Sequence, residues 1–245
     1  MPAFGWRGRI GVISPTVLEV IPYEFHRFAP PGVVLVGVTC HMEGWAEVQY
    51  ERALVQVESS AKYLGARKVD FVVHVATPPV VSQGVGFDLE LIRRLQESAG
   101  CPATTSARAA INALQHFSAT RIVLVTAFNE RLIEQLSAFL AGNGIEVLYV
   151  ARMAATFDFL HAIPTESIRQ AALEAMAKAP EADAVLIPGG QIPAAQLVAS
   201  LEADLGVPVI AQNHSDFWEP LRALKINDVS AGHGRLLDSL RTMDP

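Results

Sequence analysis

Two stretches of the sequence, RIGVIS at Arg9–Ser14 and RIVLVT at Arg121–Thr126, lie 112 positions apart and follow the same pattern. Each begins with an arginine, continues as a run of apolar residues and ends on a hydroxyl side chain. Unbroken apolar runs of this length are typical of strands buried on both faces of a parallel sheet. The two stretches therefore predict equivalent buried strands in a repeated unit.

The repeat extends beyond these two strands. A glycine precedes the second apolar run of each unit, an aspartate precedes the third, and a Gly-x-Pro segment introduces the last helix. These paired landmarks are Gly32 and Gly144, Asp70 and Asp183, and Gly100–Ala103 and Gly206–Val209. Such a repeat indicates duplication, and we expect two flavodoxin-like halves joined near residue 115. The first half is predicted to comprise residues 1–115 and 216–245, and the second half residues 116–215.

Short apolar runs alternate with longer amphipathic stretches along the whole chain. The predicted strands are Ile10–Ser14, Val33–Val38, Phe71–Ala76, Ile122–Thr126, Glu146–Val150, Ala184–Ile187 and Pro208–Ala211. The predicted helices are Trp45–Leu64, Phe87–Ser98, Ser106–Phe117, Glu130–Ala141, Glu166–Ala179, Ala194–Leu205 and Asp216–Leu224. Three of these helices are expected to end at glycine C-caps, at Gly100, Gly142 and Gly206. The alternation of strand and helix predicts an α/β fold with parallel sheets.

Composition and charge limit what such a chain can do. It has 245 residues, of which 51% are apolar and 18% charged, so a large packed core is expected. The net charge of −6 disfavours binding to nucleic acid, and no apolar run is long enough to span a bilayer. The two cysteines, Cys40 and Cys101, form neither a CxxC pair nor a disulfide framework. We expect a soluble cytoplasmic protein that binds no nucleic acid and no membrane and that can form a homo-oligomer.

The loops that follow the strands are the predicted place of function. Ligands of open parallel sheets bind beyond the carboxyl ends of the strands, and two facing halves would bring these ends to one central cleft. The loops expected there are residues 14–16, 40–42, 76–79, 126–129, 188–191 and 212–215.

Several segments resemble the arylmalonate decarboxylase and maleate isomerase family of the Asp/Glu racemase superfamily. Val185–Gly190 (VLIPGG) is similar to the strand and Gly-Gly loop that carry the second catalytic cysteine of these enzymes. The other similar segments are Leu95–Leu114, Arg121–Leu140, Gly206–Val209 with Asn213 and Phe217, and Ala231–Leu237 (AGHGRLL). The resemblance covers nearly the whole chain.

The resemblance implies two pseudo-symmetric halves with the site between them, and chemistry without a cofactor or a metal. In that family, two strand-end thiols act on opposite faces of a small carboxylate, or one thiol protonates an enediolate after loss of CO2. The resemblance therefore implies a lyase or isomerase, of the decarboxylase or maleate isomerase kind, whose partner is a small-molecule carboxylate.

The chain departs from the family at the reacting positions. By the resemblance, the first thiol position falls on Ala76, the second on Pro188 and a pocket tyrosine on Phe128. None of these side chains carries a transferable proton, so a non-thiol mechanism is expected. The residues expected to bind substrate are Ser14, Pro15, Ala76, Thr77, Phe128, Pro188, Gly189, Gly190 and Asn213.

Two residues are predicted to transfer protons in place of the thiols. His214 follows a predicted strand end, where a neutral imidazole can act as a base near pH 7. Cys40 ends the second strand, at a position that the resemblance places in the pocket, and its thiol could act as acid, base or nucleophile.

Three other polar segments lie near predicted strand ends. His74 lies on the same strand face as Ala76 and Glu19 follows the first loop, so either could act as a base, although both also suit structural roles. Thr104–Ser106 is interpreted as the N-cap segment of the following helix rather than as part of the site.

Three classes of function stay open at this point. The first is an enzyme that forms an enediolate or oxyanion by decarboxylation or isomerisation. The second is a hydrolase that opens a small cyclic amide or imide, and the third is a carboxylate-binding protein without catalysis. A nucleotide-binding redox role is disfavoured because no GxGxxG motif follows the first strand.

Overall fold

The structure is a computed structural model that describes residues 4–242. Its first part alternates strands and helices, because apolar runs rich in β-branched residues are followed by amphipathic stretches. The strands are β1 (Gly8–Ser14), β2 (Val33–Thr39), β3 (Phe71–His74) and β4 (Ala103–Thr105). The helices are α1 (Val20–Phe28), α2 (Glu47–Ala66), α3 (Thr77–Val81), α4 (Phe87–Ala99) and α5 (Ser106–His116).

The second part repeats this alternation. Its strands are β5 (Arg121–Thr126), β6 (Glu146–Arg152), β7 (Ala184–Ile187) and β8 (Val209–Ala211). Its helices are α6 (Glu130–Gly142), α7 (Thr165–Lys178), α8 (Val198–Leu205), α9 (Gln212–Ala223) and α10 (Arg235–Asp238). Short 3-10 turns occupy Phe157–Ala162, Ala195–Leu197 and Ser239–Thr242.

The eight strands form two four-stranded parallel sheets with the same topology. The strand orders are β2-β1-β3-β4 and β6-β5-β7-β8, so the second sheet repeats the connections of the first. At the carboxyl end of the first sheet, Ile13 of β1 pairs with Val38 of β2 and with His74 of β3. The predicted α/β fold with two pseudo-symmetric parallel sheets is thereby confirmed. The proposed division at residues 115 and 216 stays a prediction, although each sheet falls within one of its ranges.

An arginine–aspartate clasp occurs at the same place in both sheets. Asp70 accepts a hydrogen bond from the Arg9 N–H over 2.8 Å, and its own N–H donates to the Arg9 carbonyl over 2.8 Å. Asp183 makes the same two bonds with Arg121, at 2.8 and 2.6 Å. The landmarks that revealed the repeat in the sequence therefore have the same structural role in each half.

The main hydrophobic cluster joins side chains from both sheets. Ile10 of β1 belongs to the same buried cluster as Ile122 of β5 and Ile210 of β8. Val123, the next residue of β5, points into a second cluster on the other face of its sheet, as strand alternation requires. Across residues 4–242, no helix combines the length and the apolarity needed to cross a membrane.

Four elements near the strand ends differ from the sequence-based predictions, and the first is helix α1 (Val20–Phe28), where no helix was predicted. Ala103–Thr105 is a short fourth strand, where no strand was predicted. Thr77 begins α3 instead of a loop, because prolines are tolerated in the first turn of a helix, where their missing N–H groups have no intrahelical acceptor. Helix α9 begins at Gln212, four residues before the predicted start at Asp216.

Two of the three predicted glycine C-caps are confirmed. Gly100 and Gly206 follow α4 and α8 in the left-handed conformation, with φ of 71° and 75°. The prediction for Gly142 is wrong, since this residue is the last of α6 and Asn143 occupies the cap position. The left-handed φ of 78° falls instead on Gly144.

Candidate active site

A cavity of about 50 Å³ lies where the strand ends of the two sheets face each other, and we call it the cleft cavity. Its lining comes from the segments that follow β1 to β7, which is where the strand-end rule predicts a ligand site. The lining residues are Pro15, Thr16, Ile21, Met42, Trp45, Val75, Ala76, Thr77, Pro78, Ser106, Phe128, Phe157, Leu160, Gly189, Gly190 and Gln191.

None of these lining side chains is ionisable. Trp45 forms the centre of an aromatic wall, with ring centroids 6.3 Å from Phe128 and 5.7 Å from Phe157 in edge-to-face contacts. The polar groups are the hydroxyls of Thr16, Thr77 and Ser106, the Gln191 amide and the backbone of the two glycines. The cavity thus offers neutral hydrogen-bonding groups on a largely apolar surface.

The Gly189–Gly190 loop lines the cavity and carries backbone donors that lack a partner in the described part of the chain. Gly189 has a φ of 106°, a conformation that favours glycine, and a Cβ on Gly190 would lie 2.9 Å from Asn213 Oδ1. No acceptor within residues 4–242 bonds to the N–H of either glycine. Two free N–H groups at a strand end are suited to holding an oxyanion.

Asn213 fixes the position of this loop by a side-chain hydrogen bond. Its Nδ2 donates to the Gly190 carbonyl over 2.9 Å and to Glu24 Oε2 over 2.6 Å. Glu24 is buried and also accepts from the Ala195 N–H over 2.9 Å. Burial raises the pKa of Glu24 to about 7, although both hydrogen bonds act in the opposite direction. Asn213 therefore supports the loop and does not itself line the cavity.

Thr77 and Ser106 are hydrogen-bonded to a buried polar network behind the cavity wall. The Thr77 hydroxyl donates to Gln212 Oε1 over 3.2 Å, and Gln212 Nε2 donates to the Ser106 carbonyl over 3.0 Å and to Asp216 Oδ1 over 2.9 Å. The Ser106 hydroxyl donates to Asp216 Oδ2 over 2.8 Å. Asp216 is fully buried, and burial raises its pKa to about 7.

The two positions of the missing thiols differ in their exposure to the cavity. Ala76 lines it, whereas Pro188 is buried at the end of β7 and does not. Ser14 is also absent from the lining, because its Oγ is buried and accepts a bond from the Thr16 N–H over 3.3 Å. Of the nine residues predicted to bind substrate, the cavity lining contains Pro15, Ala76, Thr77, Phe128, Gly189 and Gly190.

An outer cavity of about 200 Å³ adjoins the cleft cavity and shares with it Thr16, Met42, Phe157, Leu160 and Gln191. We call it the mouth. Its charged and titratable lining residues are Glu19, Glu43, Asp158 and His161. Glu19 pairs with His161 across 3.4 Å, so the mouth carries an acidic surplus while the interior carries no charge.

The structure places His214 away from the cleft cavity. Its ring is fully buried, lies 5.7 Å from the Phe28 ring and has no partner for either nitrogen among the described residues. It lines a separate cavity of about 90 Å³ with Glu24 and His233. Burial lowers its pKa to about 3. A catalytic role for His214 stays a prediction, and this placement does not support it.

Cys40 is also absent from the cavity lining. It is buried, and its Sγ lies 4.0 Å from Ser60 Oγ of α2. Burial raises the pKa of its thiol, which disfavours the reactive thiolate. His74 is buried with a pKa lowered to about 4 by burial, and its Nδ1 has no partner among the residues described. None of these groups is brought to the place where a substrate would react.

Sequence reasoning missed two polar residues of the site, Ser106 and Asp216, and also apolar lining residues, including Trp45, Phe157 and Leu160. The N-cap interpretation was right for Thr105, whose Oγ1 accepts from the Arg108 N–H over 3.2 Å, but Ser106 lines the cavity. A serine that directly follows a strand end could have revealed the site. No local signal could have found its partner, which lies 110 positions later inside a helix.

The chain is similar in sequence to a decarboxylase and to isomerases. The family model described as arylmalonate decarboxylase matches residues 10–237. The arylmalonate decarboxylase of Bordetella bronchiseptica is 27% identical over 238 residues, which are 94% of this chain and 96% of that protein. A maleate isomerase of Pseudomonas putida is 26% identical over 195 residues, which are 76% of this chain and 78% of that protein.

Solved structures of an arylmalonate decarboxylase and of a maleate isomerase have folds similar to that of this chain. A mutant arylmalonate decarboxylase in a liganded form superposes with a TM-score of 0.89 at 24% identity, covering 95% of this chain and 99% of its own. A maleate isomerase variant of Pseudomonas putida S16, solved with maleate, superposes with a TM-score of 0.88 at 21% identity, covering 94% and 97%.

Proposed function

This chain belongs to the arylmalonate decarboxylase family, and from that premise we propose that it is a cofactor-independent enzyme that decarboxylates a small carboxylic acid with an apolar substituent. The reaction would pass through an enediolate and would use no thiol. The observation that carries the proposal is the lining of the cleft cavity, which is mostly apolar and contains a few uncharged hydrogen-bond donors.

The neutral donors are suited to the charge that such a reaction develops. When CO2 leaves, its bonding electrons remain on the substrate and spread over the second carboxylate as an enediolate. The free N–H groups of Gly189 and Gly190 can hold these oxygens without reorganising. Loss of one donor of this kind typically lowers kcat by about 10²- to 10³-fold.

The apolar wall supports decarboxylation of an acid with an apolar substituent. Trp45, Phe128 and Leu160 can contact such a substituent, and they exclude water from a carboxylate placed beside them. A carboxylate without solvent or cation is raised in free energy relative to neutral CO2, which favours its loss.

Decarboxylation also fits the distribution of polar groups better than racemisation does. A two-base reaction needs proton carriers on opposite faces of the substrate, and the family provides them at positions held here by Ala76 and Pro188. In this chain, the two buried hydroxyls of the lining, on Thr77 and Ser106, both begin helices that follow strands of the first sheet. One-sided proton delivery after loss of CO2 requires no carrier at the Pro188 position.

The proposal is tested by NMR in D2O with phenylmalonate, maleate, a hydantoin and a cyclic imide as probes. We expect phenylmalonate to yield phenylacetate with one deuterium at the α-carbon. The Gly190→Ala variant should retain the fold and lose activity, because the added Cβ displaces the loop from Asn213 and Ile21. Phenylmalonate left intact by the wild-type protein would exclude decarboxylation of this substrate class.

Two other functions predict different results in the same experiment. Ring opening of the hydantoin or imide, without turnover of either acid, would establish a hydrolase. Binding of an acid without turnover or exchange would establish a carboxylate-binding protein, a function that the loss of both thiols favours. Isomerisation of maleate would place this chain with the isomerases of its family.

A further inference from the structure

A hydroxyl and a carboxyl that are far apart in the sequence meet beside the cleft cavity. Ser106 is the first residue of α5 and lines the cavity, and Asp216 lies in the second turn of α9, fully buried behind it. Their oxygens are 2.8 Å apart. The pair therefore connects the substrate space to an ionisable group that the substrate cannot touch.

The second oxygen of Asp216 is fixed by Gln212. Gln212 Nε2 donates to Asp216 Oδ1 and to the Ser106 carbonyl, while its Oε1 accepts from Thr77. The Ser106 carbonyl can only accept a hydrogen bond, so the end of the Gln212 amide that faces it must be the nitrogen and the other end the oxygen. Asp216 is thus held in one orientation, with Oδ2 directed at Ser106.

The proton on this pair can take two positions. When Asp216 is ionised, the Ser106 hydroxyl donates to it and only lone pairs face the cavity. When Asp216 is protonated, its Oδ2–H can donate to Ser106, and the serine proton is then free to point at a substrate. The protonation state of a buried group therefore decides whether the cavity wall offers a donor or an acceptor.

We propose, on the basis of the proposed function, that Ser106 is the catalytic residue that protonates the substrate carbon and that Asp216 is the positioning residue that restores its proton. The C–C bond to CO2 breaks and its electrons remain on the α-carbon. The Ser106 O–H bond then breaks as the C–H bond forms, and the Asp216 Oδ2–H bond breaks as the Ser106 O–H bond re-forms. After product release, water entering the cavity returns one proton to the Asp216 carboxylate through Ser106, and the hydroxide left behind passes to solvent, where it combines with the released CO2 as bicarbonate.

Electrostatics support a protonated Asp216 near neutral pH. Burial is the main cause that raises its pKa to about 7, and the charge of Glu219 on the same helix adds to this effect. The bonds from Ser106 and Gln212 oppose it. The other titratable groups on α9 and on the elements packed against it are His214, Arg222, Arg108, His116, Tyr23, Glu24, His26, Arg27, His74, Arg235, Asp238 and Arg241.

The kinetic test compares variants over a pH series with phenylmalonate. We expect Ser106→Ala to lower kcat by about 10²- to 10⁴-fold with little change in KM, and Ser106→Thr to retain much of the rate. The wild-type rate is expected to fall as the pH rises through about 7, because Asp216 then loses its proton. The Asp216→Asn variant should be slow at every pH, and its pH–rate profile should lack this decline, which we call the alkaline limb.

Glu219→Gln is the matched control, since it changes another carboxyl of α9 that the cavity does not touch. It removes the charge that raises the Asp216 pKa, so the limb should move to lower pH with the maximal rate preserved. This variant also covers the case in which Asp216→Asn does not fold. A limb that persists in Asp216→Asn, or that does not move in Glu219→Gln, overturns the proposal and leaves the decarboxylase function standing.

A measurement without substrate separates the two proposals. With ¹³C at the aspartate side-chain carboxyls, we expect one resonance to titrate near pH 7, to be absent in Asp216→Asn and to titrate at higher pH in Ser106→Ala. If no aspartate titrates in this range, or if Ser106→Ala has no effect, the proton-transfer inference is wrong. If the titration is seen but the wild-type protein turns over no probe, the proposed function is wrong and the inference falls with it.

Discussion

Asn213 donates its side-chain amide to the Glu24 carboxylate over 2.6 Å, and both residues are buried. The same nitrogen bonds to the Gly190 carbonyl, so a carboxylate of α1 and a loop of the second sheet share one donor. The position of the Gly189–Gly190 loop therefore depends on a contact between the two halves of the molecule.

The Asn213→Ala variant tests this dependence. Removing the amide leaves the buried Glu24 oxygen without its donor, which we expect to cost about 1–3 kcal/mol of unfolding free energy. Activity on phenylmalonate should fall as well, because the loop is no longer held. Urea unfolding and kcat/KM measure the two effects. Asn143→Ala, which removes an amide bonded to the Phe139 carbonyl far from the cavity, is the control and should retain activity.

Phe128→Tyr introduces a hydroxyl at the position where the family resemblance implies a pocket tyrosine. Phe128 lines the cleft cavity next to Gly189, so the new hydroxyl can donate to a bound carboxylate. We expect phenylacetate to bind about fivefold more tightly, which corresponds to about 1 kcal/mol for one hydrogen bond. Calorimetric titration measures this. Phe159→Tyr, at a residue that is 63% exposed, should have no effect, and equal affinities in all three proteins would contradict the prediction.

The acidic mouth should weaken the binding of a ligand in proportion to the negative charge that the ligand places close to Asp158, Glu43 and Glu19. We expect Asp158→Asn to lower the Kd of maleate severalfold at low salt and to affect phenylacetate less. The difference should vanish near 1 M salt, where the Debye length is about 3 Å. Glu181→Gln removes the same charge from an exposed position outside the mouth and is the control. A salt-independent change would show that charge is not the cause.

Four buried groups are expected to give opposing pH dependences of stability. Burial raises the pKa of Asp216 and Glu24 to about 7, so these groups favour folding at low pH and this contribution is lost as the pH rises through 7. Burial lowers the pKa of His74 to about 4 and of His214 to about 3, so the histidines favour folding above about pH 6.5 and this contribution is lost on acidification. The two effects nearly cancel between about pH 4.5 and 6.5.

Single substitutions should reveal each contribution. In Asp216→Asn, the unfolding free energy should rise with pH in this range relative to the wild type, by up to about 1.4 kcal/mol per pH unit. His214→Phe should show the opposite change of slope. Urea unfolding at several pH values measures both. If both variants kept the wild-type slope, the buried groups would not titrate as described.

The fold was predictable because its signal is repeated. The β1 and β5 runs are apolar on both faces. Asp70 and Asp183 are hydrogen-bonded to these two strands in the same way, and they lie at equivalent positions of the sequence repeat. What failed were short or locally unfavourable segments. Three residues are too few to show a strand at Ala103–Thr105, and the polar start of α9 is read as a loop because its residues favour turns.

The site was predictable only where it depends on strand ends. Thr77, Gly189 and Gly190 line the cavity because they directly follow β3 and β7. His214 and Cys40 were also predicted next to strand ends, but packing directs both side chains away from the cavity. Asp216 could not be found, since its importance arises from the burial of α9 against α5.

The hydrophobic cluster that joins the two sheets has a consequence for the chain's connectivity. Neither sheet can cover its inner face alone, so the covalent link between them matters less than their contact. Ser118 lies in this link, exposed and with a φ of 54°. A chain cut after Ser118 and co-expressed as two fragments is therefore expected to reassemble by fragment complementation, while each fragment alone stays unfolded.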